Sequence, residues 1–119
     1  MNCVIKSLYL CVKDMERAIT FYENFFEKPV TVKDDIYSIF NIDGFSLGLF
    51  AFEKMHEEHI YGSNCLPSIE VENVSVLRQK LEGLKIIFDL KIIGKYWVSE
   101  FEDSEGNHIE LTALAKNEK

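Results

Sequence analysis

Apolar positions along the chain fall into short extended runs, broken by two stretches of helical period. Residues 3–12 (CVIKSLYLCV) are apolar on both faces of an extended segment and predict a buried strand. Asp14 then offers an N-cap to MERAITFYENFF, where Met15, Ala18, Ile19, Tyr22 and Phe26 recur at helical spacing, and Pro29 stops that helix. After a polar turn at 33–35, strands are predicted over 36–42 and 45–52. They are joined at Asp43-Gly44, a strong hairpin signal. In the second strand FSLGLFAF is apolar on both faces, as in a buried strand or one covered by a partner.

A loop-like stretch, EKMHEEHIYGSNC at 53–65, ends this half, and the order restarts. LPSIEVE predicts a strand, and Asn73 caps VSVLRQKLEG, with Val74, Leu77, Leu81 and Leu84 on one side. Strands over 86–93 and 95–102 follow, then a turn at 103–107 and a last strand over 108–114. Asp14 matches Asn73, and Asp43 to Leu49 matches Glu105 to Leu111, at offsets of 59 and 62 residues. Each half therefore reads as a β-α-β-β-β module, a tandem repeat with a short insertion. The boundaries are about 1–53 for module 1, 54–65 for the loop, 66–114 for module 2 and 115–119 for a tail, together one domain of 119 residues.

Composition narrows the partners. Apolar residues are 47% and charged residues 28%, an ordinary globular balance. Thirteen basic against twenty acidic residues leave −7, which argues against nucleic acid and anionic membranes. No apolar run approaches the eighteen or so residues of a membrane span, and the start lacks the order of a signal peptide. Cys3, Cys11 and Cys65 form no CxxC pair, so reduced thiols and a cytoplasmic location are expected.

Three segments carry a family resemblance. SLYLCVKDMERAITFYENFF resembles a His-x-x-Leu-x-Val-x-Asp strand followed by a helix with Phe-Tyr, and LPSIEVENVSVLRQKL is its weaker copy. EDSEGNHIEL resembles Asp-Pro-Asp-Gly-Asn-x-x-Glu-Leu, with Ser104 and Glu105 in place of Pro and Asp. Together, over the whole chain, these resemble the vicinal oxygen chelate superfamily of glyoxalase I, extradiol dioxygenases and the fosfomycin- and bleomycin-resistance proteins. The resemblance implies an α+β fold, two tandem β-α-β-β-β modules whose curled mixed sheet forms a cup for a small molecule, and a homodimer.

It also implies where a metal would be held: at the first and last strand of each module. Those four places are Ser7, Gly48, Leu66 and Glu110. Only Glu110 is a good ligand, since a neutral hydroxyl binds weakly and Gly and Leu offer no donor, so no metal cofactor is expected. His56 and His59 could share a face if their loop were helical, although a solvated polar loop is the plainer reading. His108, two residues before Glu110, would share its strand face, as an acid/base partner or half of a metal site, unless it faces water beside the turn.

With Ser7 and Leu66 facing inward, alternation places Tyr9 and Cys11, Ser68 and Glu70, and Glu110 and Thr112 on the cup's lining. The family pattern adds Tyr96, Val98 and Glu100. Aromatic faces and carboxylates suit a cationic or amine-bearing ligand, through cation–π contact and charge-assisted hydrogen bonds. The leading expectation is metal-free binding of a small organic molecule by Ser7, Tyr9, Ser68, Glu70, Tyr96, Glu100, His108, Glu110 and Thr112. Two alternatives are a metal-dependent lyase, isomerase or dioxygenase built on Glu110, and a metal-free isomerase with Glu110 as general base.

Overall fold

The computed structural model describes residues 3–59 and 65–115, so 60–64 of the expected loop and most of the expected tail lie outside the described residues. The chain divides into two compact units, Met1–Ile60 and Tyr61–Lys119, which follow the two halves of the repeat.

Module 1 runs β1 (Ser7–Cys11), α1 (Met15–Phe26), β2 (Tyr37–Ile42) and β3 (Phe45–Phe50), and ends in a short 3₁₀ turn, Phe52–Met55. The helix begins where the sequence predicts, because the Asp14 side chain accepts from the Arg17 backbone N–H. Its apolar stripe, Met15, Ala18, Ile19, Tyr22 and Phe25, is buried. Strand order is β1-β3-β2, with β1 parallel and β2 antiparallel to the central β3. β3 is paired along both edges, and Leu47 to Phe52 are buried within the single chain. The hairpin turn places Asp43 and Gly44 both at positive φ, the geometry for which Asp-Gly is favoured.

Two expectations fail here. The first strand begins at Ser7 rather than at residue 3, and Val4 and Ile5 are exposed at 76% and 84%. The ladder with β3 starts at Ser7↔Ser46, so residues 3–6 have no partner strand. The β-α-β-β-β order also falls one strand short in this half: β2 and β3 stand where strands are expected, and the third strand that the order calls for is only an isolated bridge between Val32 and Ile39. Asp34 stops it from extending: its carboxylate accepts from the backbone N–H groups of Ile36 and Tyr37, which turns the chain. These bonds hold its carboxyl below the usual aspartate range.

Module 2 has the full β-α-β-β-β order: β4 (Ser68–Val71), α2 (Val74–Leu81), β5 (Lys85–Ile93), β6 (Tyr96–Glu102) and β7 (His108–Leu114). The Asn73 side chain caps α2 by accepting from the Val76 backbone N–H. The sheet order is β4-β7-β6-β5, with β4 parallel to β7 and the other pairs antiparallel. Leu77 of α2 is fully buried, as are Phe101, Ile109, Leu111 and Ala113 at the back of the sheet. Burying side chains of this size stabilises by roughly 1.5–3 kcal/mol each. The turn before β7 is held by Asp103, whose Oδ1 accepts from the backbone N–H groups of Glu105 and Asn107, each at 2.8 Å. Both sheets are mixed, and the fold class is α+β.

Candidate functional site

Ladder register decides which side chains share a face, because residues directly opposite point the same way. In module 2, Ser68 lies opposite Glu110, and Glu110 opposite Glu100; the next row is Glu70, Thr112 and Val98. Tyr96 and Ile93 form the end of this face. Five expected site residues, Ser68, Glu70, Tyr96, Glu110 and Thr112, line one open concavity of about 320 Å3, together with Ile93 and Val98. Ile93 escaped the sequence reading. The isoleucines of β5 come as adjacent pairs, 86–87 and 92–93, so alternation puts one of each pair on each face without saying which.

Within the concavity the Ser68 hydroxyl donates to Glu110 Oε1 at 2.6 Å, and the Glu110 backbone N–H is held by the Pro67 carbonyl at 2.8 Å. No Lys or Arg pairs with Glu70 or Glu110 among the described residues. The remaining two expected residues of this module stand just outside the concavity. Glu100 faces Glu110 across the ladder, a like-charge pair that costs free energy. His108 relieves it: Nδ1 lies 2.9 Å from Glu100 Oε2, with both side chains largely buried. The approach is close but not aligned as a hydrogen bond, so it acts as an ion pair when the imidazole is protonated. His108 thus faces its neighbouring carboxylate rather than water.

Ser7 and Tyr9 belong to module 1 and lie on that module's own open face. There Tyr9 stands opposite Gly48, in the parallel ladder that corresponds to Ser68 opposite Glu110. The two pairs are inverted in size. The Tyr9 ring lies directly over Gly48, so that a Cβ added at Gly48 would collide with it. Gly48 is therefore the space that Tyr9 occupies. Tyr9 meets Tyr37 edge to face at 5.5 Å, and Tyr37 stacks on Phe50 at 4.8 Å. Cys11 ends the same row; burial and the nearby Glu57 charge push its thiol up.

His56 and His59 do not share a helical face. The 3₁₀ turn stops at Met55, His56 takes a left-handed conformation, and His59 packs edge-on against Phe52 at 4.9 Å. The metal that the resemblance implies does not fit the residues present. Tyr9 covers the Gly48 place, Leu66 has no donor, and Glu110 is engaged by Ser68. Among the described residues no group of three or more His, Cys, Asp or Glu is arranged around a common point for a metal ion.

No family model and no curated protein matches the sequence. Solved structures do. A lactoylglutathione lyase from Agrobacterium tumefaciens superposes with a TM-score of 0.73 at 14% identity, covering 94% of each chain. The fold is that of the glyoxalase/bleomycin resistance proteins. A member of the glyoxalase/bleomycin resistance protein/dioxygenase family from Burkholderia phytofirmans gives 0.75 at 14% identity, covering 92% of this chain and 97% of its own. A glyoxalase-related enzyme from Fulvimarina pelagi gives 0.77 at 12%, covering 92% and 87%. The glyoxalase/bleomycin resistance fold is thus shared over nearly the whole chain.

The Tyr9–Gly48 pair yields a test. Gly48→Ala is expected to cost about 1–2 kcal/mol, as a methyl group is forced under the ring. In a Tyr9→Ser background the same change stabilises by about 0.5 kcal/mol, as alanine replaces glycine in a strand. Urea unfolding of the four proteins measures both steps, and equal costs in the two backgrounds would contradict the contact.

Proposed function

We propose that this protein binds a small organic molecule bearing an amine on the open face of module 2, without the metal associated with its fold. The observation that carries this reading is the pair of carboxylates, Glu70 and Glu110, in one concavity with Tyr96 and without a basic partner among the described residues. A protonated amine supplies the missing charge, and hydrogen bonds to ionised groups are the strong ones. Ser68 fixes the orientation of Glu110 beforehand. Ile93 and Val98 give the ligand's carbon skeleton an apolar wall, the combination usual for small-molecule sites.

A homodimer fits this reading. The edge strand β5 exposes Ile86, Ile87, Ile92 and Ile93, an unpaired apolar edge of the kind that proteins cover. Light scattering at twice the chain mass checks it; a monomer at high concentration removes it. Cys3, Cys11 and Cys65 are thiols, which suits a reducing compartment such as the cytoplasm. No helix among the described residues is long and apolar enough to cross a membrane.

Calorimetric titration with tyramine, compared with uncharged 4-ethylphenol, tests the proposal. Tyramine is expected to bind and 4-ethylphenol to bind at least about tenfold more weakly, the worth of one charge-assisted hydrogen bond. Glu110→Gln is expected to remove about the same factor for tyramine and to leave 4-ethylphenol unchanged. Equal binding of the two compounds, or a Glu110→Gln protein that binds tyramine as well as the parent, would overturn it.

A further inference from the structure

We infer that the open face of module 1 carries a second organic-cation site, an aromatic corner of Tyr9 and Tyr37 fitted to a methylated ammonium group. This site uses other residues and other chemistry than the carboxylate concavity of module 2, and it does not depend on that reading.

The corner has a floor and a wall. Gly48 lets the Tyr9 ring lie down on the sheet, leaving its other face outward, and Tyr9 is 45% exposed. Tyr37 is 43% exposed and is set at 69° to Tyr9, with the ring centroids 5.5 Å apart. Stacking on Phe50, at an interplanar angle of 7°, holds Tyr37 in place. Both rings are therefore fixed before any ligand arrives, so little side-chain entropy is lost on binding. Rings set at such angles are the elements of the cages that recognise quaternary ammonium groups, whose diffuse charge is attracted by the π faces.

Charge favours a cation over a neutral apolar group. The strands SLYLC, YSIFNI and FSLGLF carry no Lys or Arg. Glu57 lies close enough to the Cys11 end of the Phe50–Tyr37 row for its charge to be felt there. Lys54 has Asp34 as a neighbouring counter-charge, the carboxylate that also accepts from the Tyr37 backbone N–H. The whole chain adds a net −7. A methylated ammonium also needs no hydrogen-bond acceptors, which matches a corner built of ring faces.

The probe pair is choline and 3,3-dimethylbutan-1-ol, which share a shape and differ in charge. Titrated into the 15N-labelled full chain, choline is expected to give saturable shifts at the Tyr9, Tyr37 and Gly48 amides, with millimolar affinity. The neutral alcohol is expected to bind at least about threefold more weakly, the range of an exposed cation–π contact. Tyr9→Phe should stay within about twofold of the parent, since the π face remains, whereas Tyr9→Leu and Tyr37→Leu should each lose about threefold or more. Glu110→Gln should leave the choline-induced shifts at the Tyr9, Tyr37 and Gly48 amides unchanged, which separates this site from that of module 2. Should Tyr9→Leu fail to fold, Tyr37→Leu carries the comparison alone. Equal binding of the alcohol would make the corner a plain apolar patch. Absence of saturable shifts at these amides, or a loss caused by Glu110→Gln and not by the tyrosine variants, would overturn the proposal outright.

Discussion

The parallel pairing of each module's first strand with its last is the constraint on which the sites depend. It sets one residue of the opening strand directly beside one residue of the closing strand, on the face turned away from the helix. In module 2 the pair is Ser68 and Glu110, a hydroxyl and a carboxylate that bond across the ladder. In module 1 it is Tyr9 and Gly48, a ring and the gap that admits it. One backbone arrangement thus holds a polar pair in one half and an aromatic ring over a glycine in the other. The packing behind the sheets, around Tyr22 and Phe40 in module 1 and Leu77 and Leu111 in module 2, is largely apolar in both, with one buried serine in each, Ser38 and Ser99.

The inverted pair changes how Gly48 is understood. Taken alone, glycine at that place is a missing ligand. Beside Tyr9 it has a steric purpose, because no larger residue leaves room for the ring. Glu110 is changed in the opposite sense: it keeps a carboxylate, but its nearest donor is a serine, and its row across the sheet continues to Glu100 and His108. The repeated scaffold thus carries an acidic face in module 2 and an aromatic face in module 1, the two surfaces proposed here to take ligands.

Much of the fold was legible in the sequence, and for physical reasons. Asp14 and Asn73 cap the two helices as read, because capping is a local interaction between a side chain and the N–H three residues on. Asp43-Gly44 makes its hairpin because both φ values are positive. Alternation placed Ser68, Glu70, Glu110 and Thr112 on one face correctly, since a strand period of two has no other solution once one residue is fixed. The failures lie where a partner decides. Residues 3–6 look like strand until β3 is seen to begin at Phe45, and the extra strand implied by the module order is only a bridge at Val32–Ile39, where Asp34 takes the N–H groups that would extend it. The Tyr9 ring over Gly48 needed the register between residues 39 positions apart, which no local pattern contains.

Everything proposed for module 2 turns on Glu110 belonging to an organic-ligand site and not to a metal site. The most direct measurement is elemental analysis of untagged protein, purified without chelator and then offered Zn²⁺, Ni²⁺, Mn²⁺ and Fe²⁺ in turn. Far less than one metal ion per chain is expected in every case, with no shift in melting temperature. One equivalent of metal per chain, lost in Glu110→Ala, would contradict it.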